Sequence, residues 1–117
     1  MDPVNVPERP VAVFDWLADF YARGGERGCG FLNAAAELPD AADPARRVVT
    51  SEKDWLVALF ARLAADAGLK KPARLASQLL LLVDGVGGRI LVGGPEAAAR
   101  AVADARAAAI VLIAAAQ

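Results

Sequence analysis

The fold of this chain depends on how the stretch LLLLVDGVGGRI, Leu79 to Ile90, is interpreted. An apolar run followed by glycines is compatible with a buried strand that opens into a phosphate-binding loop. The same residues are also compatible with one buried helix whose glycines allow close packing against a neighbour. The first interpretation predicts a nucleotide-binding protein, whereas the second predicts a helical bundle with a dimer contact.

Motif spacing separates the two interpretations. A dinucleotide fingerprint, G-x-G-x-x-G, would begin at Gly85 and Gly87 but meets Ile90 where its third glycine should stand. A P-loop requires a Gly-Lys pair, and the sequence contains none. The apolar run is leucine rather than the valine and isoleucine that buried strands prefer, and it continues from a segment that begins at Pro72. We therefore interpret the stretch as helix.

The glycines of this helix need an explanation. Each interior glycine costs roughly 0.8–1 kcal/mol relative to alanine, so Gly85, Gly87 and Gly88 together cost about 3 kcal/mol. Close approach of another helix, or room for a ligand beside the helix, would offset that cost. The alternative is a helix that kinks or ends near Gly87.

Composition restricts the class of function. The 117 residues are 56% hydrophobic with a net charge of -1, which provides no basic surface for nucleic acid or an anionic membrane. The chain has no histidine and one cysteine, so we expect no catalytic residues, no metal site and no cofactor. Its charge-free stretches, such as residues 107–117, are shorter than the roughly 20 residues that span a bilayer. We expect a cytoplasmic protein without a membrane partner and without enzymatic activity.

Apolar periodicity and helix-ending residues predict five helices and no strand. Residues 1–9 form a leader, and residues 10–117 form a single all-α domain. The predicted helices run from Val11 to Gly24, from Phe31 to Leu38, from Pro44 to Gly68, from Pro72 to Val92 and from Pro95 to Gln117.

The last two predicted helices carry apolar residues beyond what one core can cover. Leu79 to Val83 are consecutive and therefore point in every direction around the helix. Residues 107–116 contain no charge. Two adjacent helices with outward apolar faces indicate a dimer contact, because large exposed apolar patches usually mark interfaces.

Three segments in order resemble the C-terminal regulatory domain of TetR-family transcriptional repressors. They are RGCGFLNAAAELPD (27–40), SEKDWLVALFARLAADAG (51–68) and LASQLLLLVDGVGG (75–88), and the resemblance extends from Val11 to Ala116. It implies a five-helix orthogonal bundle with an effector pocket among its earlier helices. It also implies that Pro72–Val92 and Pro95–Ala115 form a four-helix dimer interface with a second copy. Family members begin with a helix-turn-helix domain that these 117 residues lack, so we expect contact with DNA only through such an N-terminal domain.

The predicted site residues fall into two sets. The effector pocket is predicted to be lined by apolar and aromatic residues and one carboxylate, although ordinary core packing is the favoured explanation for any single aromatic residue. This set is Phe14, Leu17, Tyr21, Phe31, Trp55, Leu59, Phe60, Leu82 and Asp84. The predicted dimer interface is Leu81, Gly85, Gly88, Leu91, Ala105, Ala109 and Leu112.

Asp84 stands out because a carboxylate within a leucine-rich helix is costly to bury unless it is paired. It either contacts a polar or cationic effector or pairs within the protein. Candidate partners are Arg89, another arginine, a backbone group or the opposite subunit. Pairing within the protein is favoured, since buried charges are normally paired.

These observations predict a regulatory domain that binds a small apolar effector and forms a homodimer. The alternative is a purely structural homodimerisation module whose core is filled by its own side chains.

Overall fold

A computed structural model describes residues 9–23 and 44–117, without the side chains of residues 45, 46 and 49. This part of the chain is helical and contains no strand, so the predicted all-α class is confirmed. It consists of α1 (Arg9–Ala22), α2 (Pro44–Asp66), α3 (Pro72–Gly93), a 3-10 turn (Pro95–Ala97) and α4 (Ala98–Ala115). The predicted helix from Phe31 to Leu38 lies outside the described residues.

Local sequence signals set the helix boundaries. Pro44 and Pro72 are the first residues of α2 and α3, where a missing N–H has no cost. Gly68 and Gly94 adopt φ angles of 73° and 81°, the left-handed region that glycine enters without strain. Pro95 begins a 3-10 turn rather than the last α-helix, which starts at Ala98. Such turns are frequent at helix ends, and the predicted start was three residues too early.

Helix α3 is continuous through the glycine cluster. It extends from Pro72 to Gly93, and the N–H of Gly94 donates a hydrogen bond of 2.8 Å to the carbonyl of Ile90. The helical interpretation of Leu79 to Ile90 is therefore confirmed. The alternative that the helix ends near Gly87 is wrong.

The core is organised around α3, which packs between α2 and α4, while α1 lies across α4. Helix α3 contributes more buried apolar residues than any other described element. The core residues are Val11, Phe14, Leu17, Phe60, Ala64, Leu69, Leu75, Ala76, Leu79, Val83, Val86, Ile90, Ala98, Val102, Ala105, Ala109 and Ile113.

Two aromatic rings join α1 to α2. Phe14 and Phe60 are both fully buried, and their ring centroids are 6.1 Å apart at an interplanar angle of 30°. The polar contact that holds α1 is weaker. Arg106 Nε on α4 donates a 2.8 Å hydrogen bond to Asp15 Oδ1 on α1, and both side chains are exposed. Pairs of this kind contribute roughly 0–1 kcal/mol, so apolar packing holds α1 in place.

Helix α3 is also long and apolar enough to cross a bilayer by length and composition. Its 22 residues have a mean hydropathy of 1.6 over their most apolar 18-residue window. Asp84 and Arg89 are the only charges between Leu75 and Val92. The core helix of a water-soluble protein meets the same criterion, and one side of α3 is packed against α2 and α4. On the side of α3 that faces away from the core, Leu81, Leu91 and Val92 are exposed.

We predict that Phe60→Ala lowers the free energy of unfolding by about 3–5 kcal/mol, because it leaves a cavity against Phe14. Urea denaturation followed by circular dichroism measures this change. Trp55→Ala is the matched control on the same helix; its side chain is 61% exposed, and we expect a loss below about 1 kcal/mol. Equal losses in the two variants would contradict the assignment of Phe60 to the core.

Candidate functional site

The side of α3 opposite the core presents an apolar stripe to solvent. Leu81, Gly85, Gly88 and Val92 recur at the spacing that places them on one side of a helix. Leu81 is 70% exposed and Val92 is 85% exposed, and the exposed Leu91 lies beside them. Large apolar side chains in this regular arrangement differ from the scattered exposed residues that most surfaces carry.

Helix α4 presents a second apolar stripe. Its buried side includes Val102, Ala109 and Ile113. Its exposed side carries Ala107, Ile110, Val111 and Ala114 beyond Arg100 and Asp104. Arg100, Asp104, Ala107 and Val111 share one side of the helix by their spacing.

A groove of about 550 Å³ runs between the two stripes and is open to solvent. Its apolar lining includes Leu81, Leu82, Gly85, Val86, Ala97, Ala101 and Ala105. Its charged lining consists of Arg89, Glu96, Arg100 and Asp104. Because Leu81 and Gly85 belong to the α3 stripe and Arg100 and Asp104 to the α4 side, the groove joins the two stripes. We call this surface the outer face: Leu81, Gly85, Gly88, Leu91, Val92, Ala107, Val111, Ala114 and the groove between them.

A second concavity, of about 360 Å³, lies between the same two helices near the start of α3. Its lining combines apolar residues with cations: Lys70, Lys71, Arg74, Leu75, Gln78, Leu112, Ala115 and Ala116. The N–H of Lys70 donates a 2.7 Å hydrogen bond to the carbonyl of Ala116, which fixes the end of α4 against this turn. The concave surface between α3 and α4 therefore continues to both ends of α3.

Gly85 and Gly88 are not required by packing within the described helices. A Cβ atom placed on Gly85 or Gly88 would meet no atom within 4 Å. Each still costs roughly 0.8–1 kcal/mol relative to alanine in a helix interior. Their effect is to leave a shallow depression on the outer face between Leu81 and Val92.

The structure separates the predicted dimer residues into two groups. Leu81, Gly85, Gly88 and Leu91 lie on the side of α3 that faces away from the core. On α4, Ala105 and Ala109 are buried in the core, and Leu112 is partly buried against it. Helix α4 is apolar on nearly every side, so its pattern does not reveal which side is covered. The positions of Arg100 and Asp104 are the signal that identifies its exposed side, and they lead to Ala107 and Val111.

The predicted pocket residues do not converge on one place. Phe14, Leu17 and Phe60 are core residues, whereas Trp55 projects from the surface of α2. Tyr21 and Leu82 are partly buried against the core, and Leu59 is partly buried. Phe31 lies outside the described residues. Since Phe14 and Phe60 pack against each other, an effector at that position would have to displace one of the rings.

Asp84 has a partner within the protein. Its Oδ1 lies 2.7 Å from Nζ of Lys53 on α2, with the Asp84 and Lys53 side chains 33% and 19% exposed. Oδ1 is enclosed, and its contact with the ammonium group is an ion pair rather than an aligned hydrogen bond. The partner is a lysine on the neighbouring helix and not Arg89 or another arginine. This pair connects α2 to the helix that carries the outer face.

Comparisons with known proteins give no match: no family model, no curated protein and no solved structure matches the chain. The resemblance to TetR-family regulators rests on the quoted segments alone.

We predict that breaking the Lys53–Asp84 pair destabilises the fold more than removing both charges. Asp84→Asn should lower the free energy of unfolding by about 1–2 kcal/mol, between the values typical of surface and buried pairs, because it leaves the Lys53 ammonium without its counter-charge. The double variant Lys53→Met/Asp84→Leu should recover part of that loss. Urea denaturation of Lys53→Met, Asp84→Leu and the double variant measures the coupling in a double-mutant cycle, and strictly additive losses would show that the two charges do not interact.

Proposed function

We propose that this chain is the dimerising regulatory domain of a TetR-like transcriptional regulator. Two copies associate through the outer face, and contact with DNA is made by an N-terminal domain that lies outside these residues. The observation that carries the proposal is the apolar outer face on α3 and α4. These are the same two helices to which the resemblance assigns the dimer interface.

The size of the outer face suits a homodimer. Two helices of 22 and 18 residues, side by side, give a surface roughly 30 Å long and 20 Å wide. Stable interfaces bury about 800 Å² per partner, which is comparable with a corrugated surface of those dimensions. Full burial of a Leu, Ile or Val side chain contributes about 1.5–3 kcal/mol. Leu81, Val92 and Val111 are the exposed side chains with most to gain.

The charges around the groove are also compatible with self-association. Arg89 and Arg100 alternate with Glu96 and Asp104 along its lining. A two-fold interface places the same surface on both sides, so a self-complementary surface needs both signs of charge. The groove provides two cations and two anions.

Effector binding is the second part of the proposal. We place a small apolar effector between α1 and α2, where the packing is less extensive than that of α2 on α3. Phe14 and Phe60 offer it an aromatic contact, and Tyr21 lies beside the core at the end of α1. A change in α2 passes to α3 through the Lys53–Asp84 pair, and so to the outer face. The effector would thereby alter the dimer geometry, which is the property that a regulator transmits.

A purely structural dimerisation module is the alternative, and one observation favours it. Phe14 and Phe60 are fully buried and fill the place that an effector would take. The two functions differ in whether any small molecule stabilises the folded chain. Both functions retain the dimer and a cytoplasmic location.

We predict that Val92→Asp and Leu81→Asp convert a dimer into a folded monomer, because each places a carboxylate in an apolar contact. Sedimentation velocity at micromolar concentration measures the change in mass. Val48→Asp is the matched control: Val48 is exposed on α2, away from the outer face, and its variant should remain dimeric.

A monomeric parent protein would contradict the dimer. Flotation with lipid vesicles is the companion measurement, since α3 has the length and hydropathy of a membrane-spanning helix. Vesicle binding that Val92→Asp abolishes would assign the outer face to a membrane instead of a second copy.

We predict that a screen of apolar and aromatic compounds by thermal denaturation finds ligands that raise the unfolding temperature. Saturation at 100 times Kd adds about 2.7 kcal/mol to the stability of the folded state. Phe14→Leu should weaken this shift by altering the proposed contact, while Trp16→Leu on the exposed side of α1 should leave it unchanged. A screen in which no compound shifts the transition would favour the structural module.

A further inference from the structure

The two ends of the outer face differ in charge. At the start of α3, Lys70, Lys71 and Arg74 line the concavity of about 360 Å³ between α3 and α4. All three side chains are exposed. Within residues 9–23 and 44–117, the ion pairs involve other residues, so these three cations have no carboxylate partner there. We call Lys70, Lys71 and Arg74 the cationic end.

The opposite end of the outer face carries both signs of charge. Glu96 lies there with Arg89 and Arg100, Asp104 follows about two turns further along α4 toward the middle of the outer face, and all four line the groove between α3 and α4. None of them takes part in an ion pair with the rest of the described chain. We call these four residues the mixed end. Arg74 and Arg89 are 15 positions apart, so the two ends are separated by roughly 22 Å along α3, well beyond the Debye length of about 10 Å at 0.1 M salt.

Two arrangements bring a pair of outer faces together under two-fold symmetry. With the axis parallel to α3 and α4, each end meets the same end of the partner. Six cations, two copies of Lys70, Lys71 and Arg74, would then face one another. With the axis in the interface and perpendicular to the helices, the cationic end of each protomer meets the partner's mixed end. Glu96 then provides a carboxylate for cations that have none within residues 9–23 and 44–117.

The position of the glycines agrees with the second arrangement. Gly85 stands midway along the sequence between Arg74 and Glu96. A perpendicular axis that pairs the two ends therefore passes close to Gly85, and the two copies of α3 cross there. Close crossing of two helices needs small residues at the crossing point, and a Cβ on Gly85 or Gly88 would project into open space on this side.

We infer that the homodimer is antiparallel, with the cationic end of each protomer seated on the mixed end of its partner. The inference rests on the proposed dimer and adds its orientation. Charge complementarity selects this orientation, because the parallel arrangement places like charges together and the apolar stripes alone permit either.

Charge reversal distinguishes the two orientations by the sign of its effect. Arg74→Glu should raise the dimer Kd by about tenfold at low salt in the antiparallel dimer, because the new carboxylate opposes that of the partner's Glu96. In a parallel dimer the same substitution relieves repulsion and lowers Kd. The double variant Arg74→Glu/Glu96→Arg should restore the parent Kd, since the two charges exchange places. Arg62→Glu, an equal change on the exposed surface of α2, is the matched control and should leave Kd unchanged.

Distance measurements between spin labels test the orientation directly. Labels are attached to Arg74→Cys or Glu96→Cys in a Cys29→Ser background, since Cys29 is the single cysteine of the chain. In the antiparallel dimer, the same labelled position on the two protomers should be more than about 25 Å apart, because each site lies eleven positions from the crossing point. A mixture of the two labelled chains should add a short distance between the label at position 74 of one protomer and the label at position 96 of its partner.

Short distances between the same labelled position on the two protomers would overturn the antiparallel orientation and leave the dimer intact. Loss of the dipolar signal together with a monomeric mass would instead overturn the proposed dimer, and the orientation with it. Sedimentation of the same labelled samples separates these outcomes.

Discussion

The constraint on which the rest of the structure depends is the packing of α3 between α2 and α4. Its leucine run points in every direction around the helix, whereas its described neighbours cover one side. Leu79, Val83 and Ile90 enter the core, and Leu81 and Val92 remain in solvent. Apolar surface removed from water contributes about 25 cal/mol per Å². A second copy of the chain is the complement that we propose for the outer face, since the described helices cover α3 on one side.

The same helix connects the outer face to the rest of the domain. Asp84 leaves α3 toward α2 and meets Lys53 at 2.7 Å, while α2 contacts α1 through the Phe14–Phe60 pair. A ligand that changes the spacing of α1 and α2 would act on these two contacts in sequence. Contacts between fully buried aromatic rings, and a partly buried ion pair, change between distinct conformations rather than gradually, because close-packed interiors resist gradual deformation. The proposed regulatory route needs no other element than these.

Net charge conceals the distribution that matters for assembly. A value of -1 over the chain gives no indication of a charged partner, yet Lys70, Lys71 and Arg74 are gathered at one end of the outer face. Glu96 lies at the other end, together with Arg89 and Arg100. In the proposed dimer, burial of the apolar stripes would provide most of the association energy but would have little directional preference. The charges at the ends are what distinguish one orientation of two copies from another.

The sequence by itself determined the helical class, the starts of α2 and α3 and the apolar excess of α3, because these depend on neighbours within a few residues; it placed the start of α4 three residues too early. Pro72, Gly68 and Gly94 act through their own backbone geometry. Motif spacing likewise excluded a phosphate loop at Ile90, and the α3 residues Leu81 and Gly85 were predicted on the exposed side. Tertiary structure alone decided which side of the alanine-rich α4 faces the core, burying Ala105 and Ala109 and exposing Val111. It also decided that Asp84 pairs with Lys53 and that Phe14 packs on Phe60. These contacts join residues distant in sequence, and a helix that is apolar all round has no internal feature to select its buried side; only the position of its neighbours does.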